Sequence, residues 1–179
     1  MGLFDFFKKE KEIVDLTVQN LSVGCILEYD LQSWIVKDKT VYDWGNNQFS
    51  FEYTIENGSD SSFLHVNTSP TLKLDVSSEI KMFDLGREVK QTIVETDSPP
   101  KKIVYKGTDY FLSDEFLGHC KSVNDDDEDW SKFVNWVFNN DDESEFISLN
   151  RWSETEIDGV QGRYAKEFEF SNFLSSPEK

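Results

Sequence analysis

The sequence predicts a mainly β protein: two tandem, related antiparallel β-units, barrel-like or sandwich-like, joined by one helix, with a short helix at the N-terminus. Three observations carry this expectation. Residues 48–55 alternate strictly: Phe49, Phe51, Tyr53 and Ile55 fall on one face, Gln48, Ser50, Glu52 and Thr54 on the other. That is the period of a half-buried antiparallel strand with one wet side. The chain holds 15 Phe, 6 Tyr and 5 Trp, and rings suit pleated surfaces better than helices. Finally, the second half of the chain repeats the pattern of the first in the same order.

In chain order, the expected divisions are an amphipathic segment at 1–15, a first β-unit at 16–83, a connection at 84–100, a second β-unit at 101–174 and a tail at 175–179. In the first segment Leu3, Phe4, Phe6 and Phe7 precede Lys8, Lys9 and Lys11. As a helix, Leu3, Phe6 and Phe7 share one face with Phe4 at its flank. Two readings fit: a helix docked on protein, or a peripheral membrane foot with its rings in the interface. Gly2 does not open a myristoylation motif, because the sixth residue is Phe6 rather than Ser or Thr.

The first unit opens with a strand at Cys25–Tyr29, a turn at Asp30-Leu31-Gln32 and a returning strand at Ser33–Lys37. Thr40–Asp43 leads into the turn Trp44-Gly45-Asn46-Asn47, where Gly and Asn tolerate positive φ. The long strand Gln48–Glu56 follows. Asn57-Gly58 is a hairpin signal inside a loop running to Ser62, and Phe63–Val66 is the partner strand. After Ser69-Pro70, Thr71–Val76 and Glu79–Phe83 predict two more short strands. Asp84–Glu95 predicts the internal helix, with Asp84 as its cap and Leu85, Val89 and Ile93 as its apolar stripe. Ser98-Pro99-Pro100 ends it.

In the second unit, Lys102–Tyr105 matches Leu27–Tyr29, Lys106-Gly107-Thr108 matches the first turn, and Asp109–Leu112 matches Ser33–Val36. Phe116–Val123 is the next strand. Asp129-Trp130 echoes Asp43-Trp44, Phe133–Phe138 echoes the long strand, and Glu145–Asn150 echoes Ser62–Asn67. Trp152–Ile157 and Arg163–Phe170 are the expected closing strands.

The net charge is −17. It repels phosphates, which excludes nucleic acid as a partner of the surface as a whole. It favours solubility and suits a basic partner, a cation or a polyamine. The two cysteines, Cys25 and Cys120, are too few for a disulfide framework and predict reduced, partly buried thiols. No signal peptide and no apolar run of about 18 residues is visible, so the expected location is the cytoplasm, with the N-terminal segment as an optional contact with the inner membrane surface.

Asp125, Asp127 and Asp129 stand at the first ligand positions of a calcium loop, but Trp130 occupies the glycine position and Trp136 the bidentate Glu position, so that motif fails. His65 and His119 read as single strand residues, not as ligands. No phosphate loop, nucleophile elbow or zinc helix occurs. The sequence thus predicts no catalytic residue, no metal site and no cofactor. Rings remain. Trp34, Tyr110 and Trp136 read as core, whereas Trp44 and Trp130 sit at turns. The expected partner-binding residues are Trp44, Asn46, Asn47, Trp130 and Trp152; the expected membrane-contact residues are Leu3, Phe4, Phe6 and Phe7.

Several segments resemble an uncharacterised bacterial family, domain of unknown function 4178, over roughly Leu16 to Leu174. They are Val23-Gly24 with Tyr29-Asp30, Tyr42-Asp43-Trp44-Gly45, Pro99-Pro100-Lys101, Asn150-Arg151-Trp152, and Tyr164 with Lys166–Asn172. The resemblance implies a cytoplasmic, β-rich bacterial protein with an accessory role at the membrane or beside an enzyme, and it transfers no functional residues. The function expected is a non-enzymatic accessory or adaptor protein that binds a protein partner. The alternative is an acidic binder of a small ligand, a polyamine or another cation, held between the two units.

Overall fold

The structure is a computed structural model and describes residues 15–124 and 129–176. Its chain runs β1 (Ile26–Tyr29), β2 (Gln32–Asp43), β3 (Phe49–Asn57), β4 (Asp60–Asn67), β5 (Lys73–Ile80), a 3-10 turn (Met82–Leu85), α1 (Arg87–Thr96), β6 (Lys102–Tyr105), β7 (Thr108–Ser122), β8 (Ser131–Asn139), β9 (Glu145–Arg151), β10 (Ile157–Ala165), a second 3-10 turn (Glu167–Glu169) and β11 (Phe170–Leu174). The N-terminal helix expected over 1–15, with Leu3, Phe4, Phe6 and Phe7, lies outside the described residues except for Asp15, as does the acidic stretch 125–128.

Turn chemistry sets the hairpins. The β1–β2 turn places Asp30 and Leu31 at φ 50° and 60°, and the β6–β7 turn places Lys106 and Gly107 at 50° and 83°. Two consecutive left-handed residues give the twist that two-residue hairpins need. Both hairpins lead into long strands that carry an irregularity, between Val36 and Asp38 in β2 and between Leu112 and Asp114 in β7. A bulge bends a strand and lets its two halves serve different neighbours. The first half of β2 pairs with β1; its second half, Thr40–Asp43, pairs with Ser122–His119 of β7.

The sheet order is β11-β1-β2-β3-β4-β5-β10-β9-β8-β7-β6, all antiparallel, and the extra β2–β7 ladder closes a ring. The ring runs β2-β3-β4-β5-β10-β9-β8-β7 and back to β2. Each five-stranded meander therefore meets the other at two seams, β5–β10 and β2–β7. β11, which falls within the residues assigned to the second unit, pairs with β1 of the first. Arg163 fixes it there. Its Nη2 donates to the Tyr29 hydroxyl at 2.7 Å and to Glu169 at 2.6 Å, while Tyr29 stacks on Phe170.

Among the described residues there are two hydrophobic cores. One face of β3, β4 and β5 contributes Tyr53, Ile55, Leu64, Val66 and Leu74 to the first, with Leu27, Trp34, Val36 and Phe170. The second holds Trp136, Phe138, Ile147 and Leu149 from β8 and β9, Tyr110 from β7, and Val89 and Ile93 from α1. Trp34, Tyr110 and Trp136 are thus core rings, as expected. Cys25 and Cys120 are buried and form no disulfide.

Several boundaries differ from the sequence reading. The residues expected as two strands over 71–83 form one strand, β5, followed by the 3-10 turn. The helix begins at Arg87, not Asp84, because Gly86 at φ 94° breaks the chain between the 3-10 turn and α1. Asn57 and Asp60 face each other in the β3–β4 ladder, so the loop expected to reach Ser62 is a two-residue turn. Residues 152–156 connect β9 to β10 as a loop rather than a strand.

Because two continuous seams join the two cores, the chain is expected to unfold as one unit. Ile55→Ala in the first core should cost about 2–5 kcal/mol and Trp136→Ala in the second about 3–5 kcal/mol. Both losses should appear as shifts of the same transition in thermal melts followed by near-UV circular dichroism. Two transitions, each moved by only one variant, would contradict this.

Candidate functional site

Side chains on successive strand residues alternate between faces, so each meander that buries one face in its core presents the other face to the opposite meander. In the first meander that second face carries Glu52 (β3), His65 (β4) and Asp75, Ser77 and Glu79 (β5); in the second it carries Asn135 (β8), Ser148 and Asn150 (β9) and Asp158 (β10). Between them lies a cleft of about 470 Å³, within the range of small-ligand sites. Its lining includes the carboxylates Glu52, Asp75, Glu79, Asp114 and Asp158 against Lys73 and His65. It also includes the rings of Tyr42, Trp44, Phe49, Phe63, Phe116, Phe133, Phe146, Trp152 and Tyr164.

The rings form a connected strip. Tyr42 stacks on Trp44 with centroids 5.6 Å apart, Trp44 meets Phe133 edge-on at 5.6 Å, and Phe133 meets Trp152 at 5.0 Å. Gly118 of β7 makes this approach feasible. A Cβ there would stand 3.0 Å from Phe133 Cζ and 3.1 Å from Trp44 Cε3. The ends of the strip are tied to acids. The Tyr42 hydroxyl donates to Glu52 Oε1 at 3.0 Å, and Trp152 Nε1 donates to Asp158 Oδ2. Asn150 donates to the other oxygen of Asp158 at 3.2 Å and accepts from Asn135 at 2.8 Å.

Under the strip sits a hydrogen-bonded hub. Ser50 Oγ accepts from Trp44 Nε1 at 2.8 Å and lies 2.8 Å from His65 Nε2, whose Nδ1 is 3.1 Å from Asp75 Oδ2. Carboxylate, imidazole and hydroxyl stand here in the order of a nucleophilic relay. Ser50, however, is 0 % exposed. Its oxygen is already engaged by two ring nitrogens, and a hydroxyl without access to the cleft cannot attack a molecule in it. The hub is a positioning device: it fixes the indole of Trp44 and the imidazole of His65.

Burial shifts the titratable groups of the cleft upward. Burial raises the Glu52 carboxyl, and the favourable pull of His65 and the Tyr42 hydrogen bond only partly offsets it. Burial likewise raises Asp158 against the hydrogen bonds from Trp152 and Asn150. For His65, burial opposes the charge, but Asp75, by charge and hydrogen bond, together with Glu52, prevails and holds it above its ordinary value. Tyr42 is pushed well above the ordinary tyrosine value by burial and by the neighbouring Glu52.

The residues selected from sequence are distributed as follows. Trp44 and Trp152 are brought together through Phe133 and line the cleft, both half-buried, so Trp44, expected at a turn, is not presented outward. Asn46 and Asn47, at φ 51° and 62°, are exposed at the β2–β3 turn. Trp130 is 43 % exposed and does not line the cleft. Leu3, Phe4, Phe6 and Phe7 lie outside the described residues. Sequence reasoning missed Tyr42, Glu52, Asp158 and the hub. Glu52 and Ser50 were expected on the wet side of β3, yet that side faces the second meander. The available signal was the matching polar face of the second unit, Asn135 with Ser148 and Asn150, interleaved with core residues. His65, read as a single strand residue, is the centre of the hub. Among the described residues no group of three or more His, Cys, Asp or Glu converges to hold a metal ion, and no helix is long and apolar enough to cross a membrane.

Residues 22–167 match the model of the family described as Domain of unknown function (DUF4178), and the chain belongs to that family. A protein of Aquifex aeolicus (strain VF5), described as "Uncharacterized protein", is 29 % identical over 167 residues, which cover 93 % of this chain and 90 % of the relative. No solved structure matches.

Removing the hub oxygen should leave Trp44 Nε1 and His65 Nε2 without their shared partner, so Ser50→Ala should destabilise the protein by about 2 kcal/mol in chemical denaturation. A loss below a few tenths would contradict the hub. The proton balance sets a second expectation. His65, with its folded value raised, contributes stability below about pH 6.5 that is lost as pH climbs through the folded value. Glu52 and Asp158, also raised, penalise the fold as pH climbs from about 4 through their folded values. The melting temperature should therefore fall between about pH 5 and pH 8, and Glu52→Gln should flatten the slope.

Proposed function

We propose that this member of the domain of unknown function 4178 family binds a small organic cation in the cleft between its two meanders. One observation carries the reading: carboxylates, of which Glu52 and Asp75 are half-buried and Asp158 is exposed at the rim, and a connected aromatic strip share a single cleft. Ammonium groups are attracted to ring faces and to carboxylates together, and desolvation strengthens both attractions. Glu52 and Asp158 hold protons above the ordinary carboxylate range because nothing of opposite charge compensates their burial fully. A bound cation supplies that compensation. Metal ions fit less well, since hard cations need several oxygens converging on one point, and the acids here are spread over opposite walls.

Exposure of Trp130 and of the Asn46-Asn47 tip supports a second reading, a docking face for a protein partner on the outside of the same fold. It leaves the cleft without a role, so it ranks second.

Titration of the full chain with spermidine in about 150 mM salt, followed by calorimetry and tryptophan fluorescence, tests the reading. Saturable one-to-one binding with a change in tryptophan emission is expected. Because a cation lowers the raised values of Glu52 and Asp158, binding should release protons, and the measured heat should vary with the ionisation enthalpy of the buffer. Affinity should therefore weaken as the pH is lowered. Heat that disappears as salt is added would reduce the interaction to counter-ion condensation and overturn the reading.

A further inference from the structure

The cleft has two acidic poles, not one. Glu52 stands on β3 of the first meander and is held by the Tyr42 hydroxyl at 3.0 Å. Asp158 stands on β10 of the second and is held by Trp152 and Asn150. The strip of Tyr42, Trp44, Phe133 and Trp152 connects them: Tyr42, Trp44 and Phe133 meet pairwise at 5.6 Å, and Phe133 meets Trp152 at 5.0 Å. Its two terminal residues are the same side chains that orient the two carboxylates. The enclosure thus reads acid, apolar ring surface, acid.

This order selects a ligand by its own chemistry. A metal ion uses convergent oxygens and gains nothing from the rings. A quaternary monoammonium uses rings around one point and one counter-charge. A linear chain with an ammonium at each end and methylenes between matches all three parts: each end meets a carboxylate that is already oriented, and the methylenes lie on the rings. Building on the cation reading above, we propose that the specific ligand class of the cleft is the linear α,ω-diammonium compounds, bound across the aromatic strip with one end at Glu52 and the other at Asp158. Length then becomes a selection criterion, because the two poles belong to opposite walls of a closed ring and cannot slide apart freely.

The test is calorimetry on the full chain with a series of α,ω-diamines from 1,3-diaminopropane to 1,6-diaminohexane, beside butylamine, at about 150 mM salt. One diamine length should bind best, and it should bind at least about tenfold more tightly than butylamine, as expected for a second charge-assisted contact. Glu52→Gln and Asp158→Asn should each bring that diamine down to roughly the butylamine level, and the double variant should lose little more. Near-UV circular dichroism confirms that each variant is folded; the length series on the unaltered protein stands without the variants. A flat length series, or diamine and butylamine of equal affinity, would overturn the two-pole assignment while leaving cation binding in the cleft intact. Failure of every amine, spermidine included, would overturn both.

Discussion

The closing ladder between β2 and β7, Thr40–Asp43 against Ser122–His119, is the constraint on which the rest of the molecule depends. One seam, β5–β10, would join the two meanders into an open sheet with two wet faces. The second seam turns the sheet into a ring and presses those faces against each other. Closure of this kind needs strands that bend. Both long strands bend at an irregularity, β2 between Val36 and Asp38 and β7 between Leu112 and Asp114. Beyond the bend each strand leaves its short partner and pairs with the other meander.

Closure changes what the polar residues are for. On an open sheet, Ser50, Glu52, His65 and Asp158 would be solvated and unremarkable. Inside the ring Ser50 is buried and Glu52 and His65 are half-buried, and polar groups withdrawn from water must find partners, while Asp158 keeps an exposed side at the cleft rim. Ser50, His65 and Asp75 satisfy one another together with Trp44; Asp158 takes hydrogen bonds from Trp152 and Asn150; Glu52 takes one from Tyr42. These bonds settle geometry but not charge. The cleft lining carries more acids than bases, and burial, with neighbouring acids adding to it, raises the carboxyl groups of Glu52 and Asp158. An acid-rich cleft whose carboxyl groups are raised is one that a cation would stabilise, and the rings would give that cation an apolar surface on which to lie.

Much of the fold was legible in the sequence, because period-two alternation and left-handed turns are local signals. Asp30-Leu31 and Lys106-Gly107 marked their hairpins, and Tyr53 and Ile55 marked the core face of β3. The helix start was misread for a local reason too: Asp84 resembles a cap, but Gly86 interrupts the chain before Arg87. The site was much less legible. Trp44 was selected as a ring at a turn and Trp152 as a further partner-binding ring, and both line the cleft, but Glu52 and Asp158 were hidden among many similar carboxylates. No local pattern distinguishes a polar strand face that meets water from one that meets another polar face. That distinction is made by the β2–β7 pairing, between residues about eighty positions apart.

The most direct measurement of the central claim is the titration of the Glu52 and Asp158 carboxyl groups by carbon-detected NMR, without and then with a saturating polyamine. The account predicts that both titrate above the ordinary carboxylate range in the free protein and that both move down when the amine is added. Two carboxyl groups that titrate in the ordinary range and do not respond to the amine would contradict it.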